Sequence, residues 1–141
     1  MTMENINQLM EGHSQQYRKM ALQTNQYLPL ADADGYGKRT GQCGDTIEMY
    51  LKISNDVIEQ MGFQIEGCLN TNACANTLVH LALGKHLDDA WSLSSDHIVD
   101  YLETLPSHET HCADLACGAF YLALKNAQDA KQKPWIKNYR K

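Results

Sequence analysis

The sequence predicts an α+β fold in which a small antiparallel β-sheet is covered on one face by helices. Apolar and polar residues alternate near residue 50, which is the period of a half-buried strand. Beyond residue 68 the apolar residues recur every three or four positions, which is the period of a helix. Strands followed by helices are typical of α+β domains. The 141 residues, 43% of them apolar, suffice for one hydrophobic core.

The N-terminal region is predicted to be helical. Apolar and aromatic side chains recur at steps of three and four over residues 5–27, as in an amphipathic helix. Residues 31–44 contain four glycines and two aspartates, a composition that favours turns. We therefore expect an N-terminal helix within residues 1–28 and a mobile loop at the start of a domain spanning residues 29–130. A basic tail is expected at residues 131–141.

A β-hairpin is predicted between residues 46 and 67. The apolar face of its first strand consists of Ile47, Met49, Leu51 and Ile53. A turn is expected at residues 54–56. In the second strand, the residues that alternate with polar or small neighbours are Val57, Met61, Phe63 and Ile65. Two strands joined by so short a turn form an antiparallel pair.

Helices are predicted for the remainder of the domain. The first begins at Asn70 or Thr71, either of which can cap it, and Gly84 can end it. Three further helices are expected, at about residues 87–92, 95–103 and 107–130.

Charge and composition exclude several classes of function. There are 12 basic against 17 acidic residues, and the net charge of −5 opposes binding to nucleic acid. No apolar stretch approaches the roughly 20 residues that span a bilayer, and the N-terminus lacks a basic region followed by an apolar one. We therefore expect a soluble, cytoplasmic protein without membrane contact. Its five cysteines are then expected to be reduced thiols that bind metal or react.

Three cysteines have distinctive neighbours. Cys43 is followed by Gly44 and Asp45, Cys68 follows a glycine, and Cys112 follows His111. Each cysteine lies at the end of a predicted element, so all three can meet at one edge of the sheet. Thiolates are strong ligands for iron and zinc, and a carboxylate or an imidazole can supply a fourth bond. The sequence predicts a metal site at Cys43, Asp45, Cys68, His111 and Cys112, with either Asp45 or His111 as the fourth ligand.

The position of Cys112 at a helix N-terminus predicts a lowered thiol pKa, because unpaired backbone N–H groups stabilise a thiolate there. The other two cysteines, Cys74 and Cys117, fall within apolar helical patterns and are predicted to be packing residues.

The cysteine spacing disfavours a structural zinc motif. Cys68 and Cys74 are six positions apart and Cys112 and Cys117 are five apart, so no C-x2-C pair exists. Three thiolates are also fewer than the four that commonly hold a permanent iron-sulfur cluster. A weaker oxygen or nitrogen ligand suits a cluster that must leave.

Three motifs carry a resemblance to a known family. They are Gly-x-Cys-Gly-Asp entering a strand, Gly-Cys followed by a helix, and Leu-Pro-x4-His-Cys-x-x-Leu-Ala opening another helix. In this order they resemble the NifU/IscU-type (NifU N-terminal domain-like) iron-sulfur cluster assembly scaffolds over roughly residues 25–130. The resemblance implies an IscU/SufE-like two-layer sandwich.

The resemblance also implies a function. It implies that the chain is a scaffold and not an enzyme. Such a scaffold takes sulfur from a cysteine desulfurase, builds a transient 2Fe-2S cluster with iron and delivers the cluster to acceptor apoproteins. Cys43, Cys68 and Cys112 match the family's ligands, Asp45 matches the aspartate that keeps the cluster labile, and His111 matches an alternative ligand. Family members often hold zinc at this site when isolated.

The chain departs from the family at two of these motifs. Glu109 stands where many members carry a lysine that an Hsp70-type chaperone reads, which argues against chaperone recognition in the usual manner. Leu69 follows Cys68 where a glycine is commoner. Whether one chain binds a cluster or several chains share it is open, so a homo-oligomer is compatible with the sequence.

Two alternative functions are disfavoured. The first is a zinc-containing sulfur acceptor that carries a persulfide on Cys112. The branch of the family with this function generally has an insertion between the second and third motif cysteines and lacks the histidine before the third. Here Cys68 and Cys112 are 44 positions apart and His111 is present. A thiol hydrolase would need a histidine base for Cys112, but adjacent helical residues point about 100° apart, which places His111 poorly.

Overall fold

The computed structural model describes residues 12–23, 30, 32–42 and 44–132. Its three strands are β1 (Gly35–Thr40), β2 (Thr46–Ser54) and β3 (Val57–Glu66). Its α-helices are α1 (Gln15–Leu22), α2 (Leu69–Ala82), α3 (Leu87–Ala90), α4 (Ser95–Leu102) and α5 (His111–Gln132). A 3-10 turn at Ser107–Glu109 precedes α5. The strands form one antiparallel sheet in the order β1-β2-β3, so the predicted α+β class is confirmed.

The predicted hairpin is strands β2 and β3. Asn55 and Asp56 at its turn both have positive φ angles, 53° and 62°, as the two central residues of a type I′ turn require. The pairing shifts next to the turn, where Lys52 faces Gln60 and Ile53 faces Ile58. This irregularity buries Ile58 rather than Val57. The alternation predicted for the second strand is therefore wrong at its first residue.

Strand β1 replaces part of the loop predicted at residues 31–44. Its glycines lie against helix α5, because an added Cβ at Gly35 would fall 2.4 Å from the Ala123 carbonyl oxygen. At Gly37 it would fall 2.3 Å from the Ala119 carbonyl oxygen. The prediction of a mobile loop is wrong here, because these glycines allow close helix–strand packing instead of serving turns.

Replacing Gly37 with alanine is expected to lower the free energy of unfolding by about 1–3 kcal/mol, as for other overpacked sites. The new methyl group would meet backbone atoms of α5, which move less readily than side chains. Urea unfolding of Gly37→Ala and of the matched control Lys38→Ala, which changes an exposed neighbour in β1, measures the effect. Equal stability of the two variants would contradict the packing argument.

The helices cover one face of the sheet. Helix α5 packs on β1 and β2, while α2 packs on β3 and against α5. The buried face of β2 presents Ile47, Met49 and Leu51 to these helices. The opposite face is polar, and there the Tyr36 hydroxyl donates to Glu48 Oε1 at 2.6 Å. The prediction of a sheet covered on one face is confirmed.

Helix α1 corresponds to the C-terminal part of the predicted N-terminal helix. It begins after Ser14, whose hydroxyl accepts a hydrogen bond from the Tyr17 backbone N–H at 3.1 Å. Residues 1–11 and 24–29 lie outside the described part of the chain. Asn72 and Asn76 of α2 donate to the carbonyls of Ala21 (2.7 Å) and Met20 (2.8 Å). These bonds join α1 to the layer of helices.

Helices α2 and α5 bring functional residues to their first turns. Helix α2 begins at Leu69, so Cys68 itself is the residue before the helix and the predicted cap at Asn70 or Thr71 is wrong. Helix α5 continues through Gln132, two residues into the predicted tail. Residues 133–141 lie outside the described residues. None of the described helices is long and apolar enough to span a bilayer.

Candidate metal centre

Three of the five predicted site residues meet at one edge of the sheet. Asp45 directly precedes β2, Cys68 directly precedes α2, and Cys112 lies in the first turn of α5. One carboxylate oxygen of Asp45 and the two sulfur atoms lie within 4.8 Å of one another. Cys68 is exposed, Asp45 is half-buried and Cys112 is fully buried. The group therefore runs from the surface into the core.

Cys43 lies outside the described residues, so its place at the site stays a prediction. The chain on either side of it turns sharply into β2. The Gly41 N–H donates to the Asp45 carbonyl at 2.9 Å, and Gly44 has a φ angle of +90°. A glycine at this position avoids the strain that a side chain would meet at positive φ.

Thr71 lies at the centre of the group, and the sequence did not single it out as a site residue. Its hydroxyl donates to Asp45 Oδ2 at 2.6 Å and lies 3.6 Å from Cys68 Sγ and 3.5 Å from Cys112 Sγ. A hydroxyl carries one hydrogen and two lone pairs, so it can donate to one neighbour while it accepts from another. The signal in the sequence is the spacing of Thr71 from Cys68, because residues three positions apart at the start of a helix lie on the same side of it.

Gly67 leaves room for the carboxylate of Asp45. A Cβ at this position would lie 2.9 Å from Asp45 Oδ2 and 3.2 Å from Thr71 Cβ, closer than ordinary contacts allow. The glycine of the Gly-Cys motif thus has a steric role, because any side chain there would displace Asp45 from Thr71.

His111 and Glu109 form a second group with the same sulfur. The imidazole Nε2 of His111 lies 3.6 Å from Cys112 Sγ. Glu109 Oε2 lies 3.7 Å from that sulfur and 3.7 Å from the same imidazole nitrogen. The expectation that His111 is poorly placed relative to Cys112 is wrong, because its imidazole reaches the Cys112 sulfur although the two residues are adjacent in the first turn of α5.

Burial raises the pKa of Cys112 to about 12, and the negative charges of Cys68, Glu109 and Asp45 act in the same direction. The hydrogen bond with Thr71 lowers the pKa but does not offset burial. The predicted lowering by the helix N-terminus is therefore wrong, because desolvation outweighs it. Cys112 is a thiol at neutral pH, and a metal ion must displace its proton to bind.

The remaining two cysteines lie in the core, as predicted. Cys74 in α2 is fully buried and Cys117 in α5 is 4% exposed. Burial raises the pKa of Cys117 to about 12, with a further contribution from Asp114, and it also raises the pKa of Cys74. Both side chains belong to the same hydrophobic cluster as the sheet residues.

Timed alkylation of the metal-free protein is expected to modify exposed Cys68 well before Cys112, Cys74 and Cys117. The three buried thiols should react only as the protein unfolds, and peptide mass spectrometry measures each rate.

Because the Cys112 pKa rises from 9.0 to about 12 on folding, the unfolded state loses that proton first. The free energy of unfolding should therefore fall as pH rises from 9 towards 12. Alkylation of Cys112 as fast as Cys68 would contradict both expectations.

Comparison with known proteins identifies the family. The sequence model of the NifU-like N terminal domain matches residues 4–134, nearly the whole chain. The chain belongs to this family. The prediction made from the three motifs is thereby confirmed, and the NifU-like domain includes every element from α1 to α5.

Relatives of this NifU-like chain carry related names. It is 32% identical over 96 residues to "Iron-sulfur cluster assembly scaffold protein IscU 1" of Archaeoglobus fulgidus, covering 67% of this chain and 63% of the relative. It is 33% identical over 86 residues to "Nitrogen fixation protein NifU" of a Nostoc species, covering 60% of this chain and 29% of the relative. The match thus spans less than two thirds of each of these two relatives.

A solved structure shows the same fold. The N-terminal part of a nitrogen-fixing NifU-like protein from Brucella abortus superposes with a TM-score of 0.69, covering 82% of this chain and 94% of that one. At 15% identity, this similarity concerns the fold alone.

Proposed function

We propose that the chain is a scaffold on which an iron-sulfur cluster is assembled and from which it passes to acceptor proteins. One observation carries the proposal: Asp45, Cys68 and Cys112 come together within 4.8 Å in a chain of the NifU-like family. The scaffold name of the Archaeoglobus fulgidus relative supports it and disfavours the alternative of a zinc-containing sulfur acceptor.

The proposed ligands are the thiolates of Cys43, Cys68 and Cys112, with Asp45 or His111 as the fourth. Iron in a sulfide cluster prefers thiolate ligands, so the cysteines hold it firmly. A carboxylate or imidazole is a weaker partner, and either can exchange. The positions of both Asp45 and His111 near Cys112 support this assignment.

The cargo that we propose is a 2Fe-2S cluster, bound transiently. Zinc takes the same sulfur, nitrogen and oxygen donors in tetrahedral geometry, so the isolated protein can hold zinc instead. The chain would return unchanged after each delivery, as a carrier and not as an enzyme.

The partners that we propose are a cysteine desulfurase and apo iron-sulfur proteins. Exposed Cys68 offers a sulfur donor access to the site, while buried Cys112 lies behind it. The carboxylate of Glu109, where many members of the family carry a lysine, supports the expectation that an Hsp70-type chaperone does not read this segment in the usual manner. Reduced thiols need a reducing compartment, which supports a place in the cytoplasm.

Anaerobic reconstitution tests the proposal. The metal-free protein is incubated with ferrous iron, a cysteine desulfurase, cysteine and a thiol reductant, which together with the ferrous ions supplies the two electrons that each sulfur atom needs to become sulfide. A visible absorbance is expected to develop and then to move to apo-ferredoxin, whereas the mixture without desulfurase should stay colourless. Failure of the complete mixture to form a cluster would refute the proposed function.

A further inference from the structure

We propose that Glu109 is a metal-binding residue and that, with His111 and Cys112, it forms a second metal position beside the Asp45, Cys68 and Cys112 group. The two positions share the sulfur of Cys112. We call the Asp45–Cys68–Cys112 group the inner position and the Glu109–His111–Cys112 group the outer position. Binding of an ion at the outer position does not depend on the proposed function. Only the use of that ion, as iron that enters the site, rests on it.

The spacing of the three donors fits a bound ion. Tetrahedral coordination at about 2.0–2.3 Å from each donor separates sulfur, nitrogen and oxygen ligands by about 3.4–3.6 Å. The observed separations are 3.6 Å between Cys112 Sγ and His111 Nε2, and 3.7 Å from Glu109 Oε2 to each of these atoms. Shifts of at most a few tenths of an ångström would complete the geometry.

The outer position opens towards solvent. The side chains of Glu109 and His111 are 26% and 46% exposed, whereas Cys112 is fully buried. Glu109 Oε1 faces His108 Nε2 at 3.7 Å, and the His108 side chain is 79% exposed. A fourth ligand can therefore come from water or from His108, which suits a position that an ion enters and leaves.

The donor set indicates the class of ion. One carboxylate oxygen, one imidazole nitrogen and one thiolate sulfur suit borderline divalent ions such as Fe²⁺, Zn²⁺ and Co²⁺ better than Ca²⁺ or Cu⁺. The negative charge of Glu109 also favours a cation at this place. Because Cys112 belongs to both groups, an ion held outside is already bound to a ligand of the inner position. The outer position would thus admit iron to the site.

A Co²⁺ titration followed by absorbance tests the inference without any cluster. In the parent variant Cys43→Ala/Asp45→Ala/Cys68→Ala, Co²⁺ should still bind, with the charge-transfer band of one thiolate. Adding Glu109→Gln to that parent should weaken Co²⁺ binding by about 10- to 100-fold or more. Changing a residue that only hydrogen-bonds to a metal ligand already causes a loss of that size. Adding Glu59→Gln instead, an exposed glutamate towards the far end of β3, should change nothing.

Loss of ligands can itself impair folding, so Glu109→Gln is also made in the otherwise unchanged chain. There it should remove the weaker of two Co²⁺ equivalents and leave the tighter one. Unchanged Co²⁺ binding on Glu109→Gln in the otherwise unchanged chain, or a parent that folds but binds no Co²⁺, would overturn the inference. Neither result would touch the proposed function, because cluster formation by the unchanged chain is measured separately with desulfurase.

Discussion

Replacing Cys112 with alanine is expected to reduce cluster assembly by about 100-fold or more. This exceeds the loss caused by changing a residue that only hydrogen-bonds to a metal ligand. Its sulfur is shared by two groups of donors, one with Asp45 and Cys68 and one with Glu109 and His111. Loss of this atom leaves neither group with three donors. Visible absorbance after anaerobic reconstitution measures the amount of cluster formed.

Cys117→Ala is the matched control for Cys112→Ala. Both cysteines are buried in α5, and both substitutions remove one sulfur from the core. We expect similar losses in the free energy of unfolding, about 1 kcal/mol, but full cluster assembly only in Cys117→Ala. Equal loss of cluster in the two variants would show that the loss comes from disturbed packing and not from the removal of a metal ligand.

Asp45→Ala is expected to lengthen the lifetime of the bound cluster by about 3- to 10-fold, which corresponds to a barrier higher by up to about 1.4 kcal/mol. A carboxylate oxygen is a harder and weaker partner for cluster iron than sulfur is. Asp45 also lies within 4.8 Å of both cysteine sulfurs, where it can compete for the metal. Without it, His111 would complete the ligand set. Decay of the visible band in the presence of a chelator measures the lifetime.

Asp88→Ala provides the control for this change, because Asp88 lies in α3 with its side chain 85% exposed. The cluster in that variant should decay at the rate of the unchanged chain. A shorter lifetime in Asp45→Ala would mean that the carboxylate stabilises the cluster and would contradict its proposed role in release.

The fold was predictable wherever a local pattern decides the structure. Ile47, Met49 and Leu51 alternate with polar residues, and that alternation alone predicts a strand with one buried face. Strand β1 escaped prediction because its glycines resemble those of a turn. Only the position of α5, which comes more than 70 residues later, shows that Gly35 and Gly37 leave space for a helix.

The site was predictable to the same extent. Cysteines at the ends of elements predict a shared edge, and Cys68 and Cys112 do meet there with Asp45. The contacts of Thr71 and Glu109 depend on how α2 and the turn before α5 pack, which no local pattern states. The pKa of Cys112 was mispredicted for a related reason, because burial is a property of the whole fold.

Native mass spectrometry under anaerobic conditions tests the central claim most directly. The protein is stripped of metal, reconstituted with ferrous iron, cysteine, desulfurase and the thiol reductant, and measured beside Cys112→Ala. We predict a species that carries two iron and two sulfide atoms in the unchanged chain and its absence in the variant. Iron bound without sulfide, or the same cluster species in both proteins, would contradict the account.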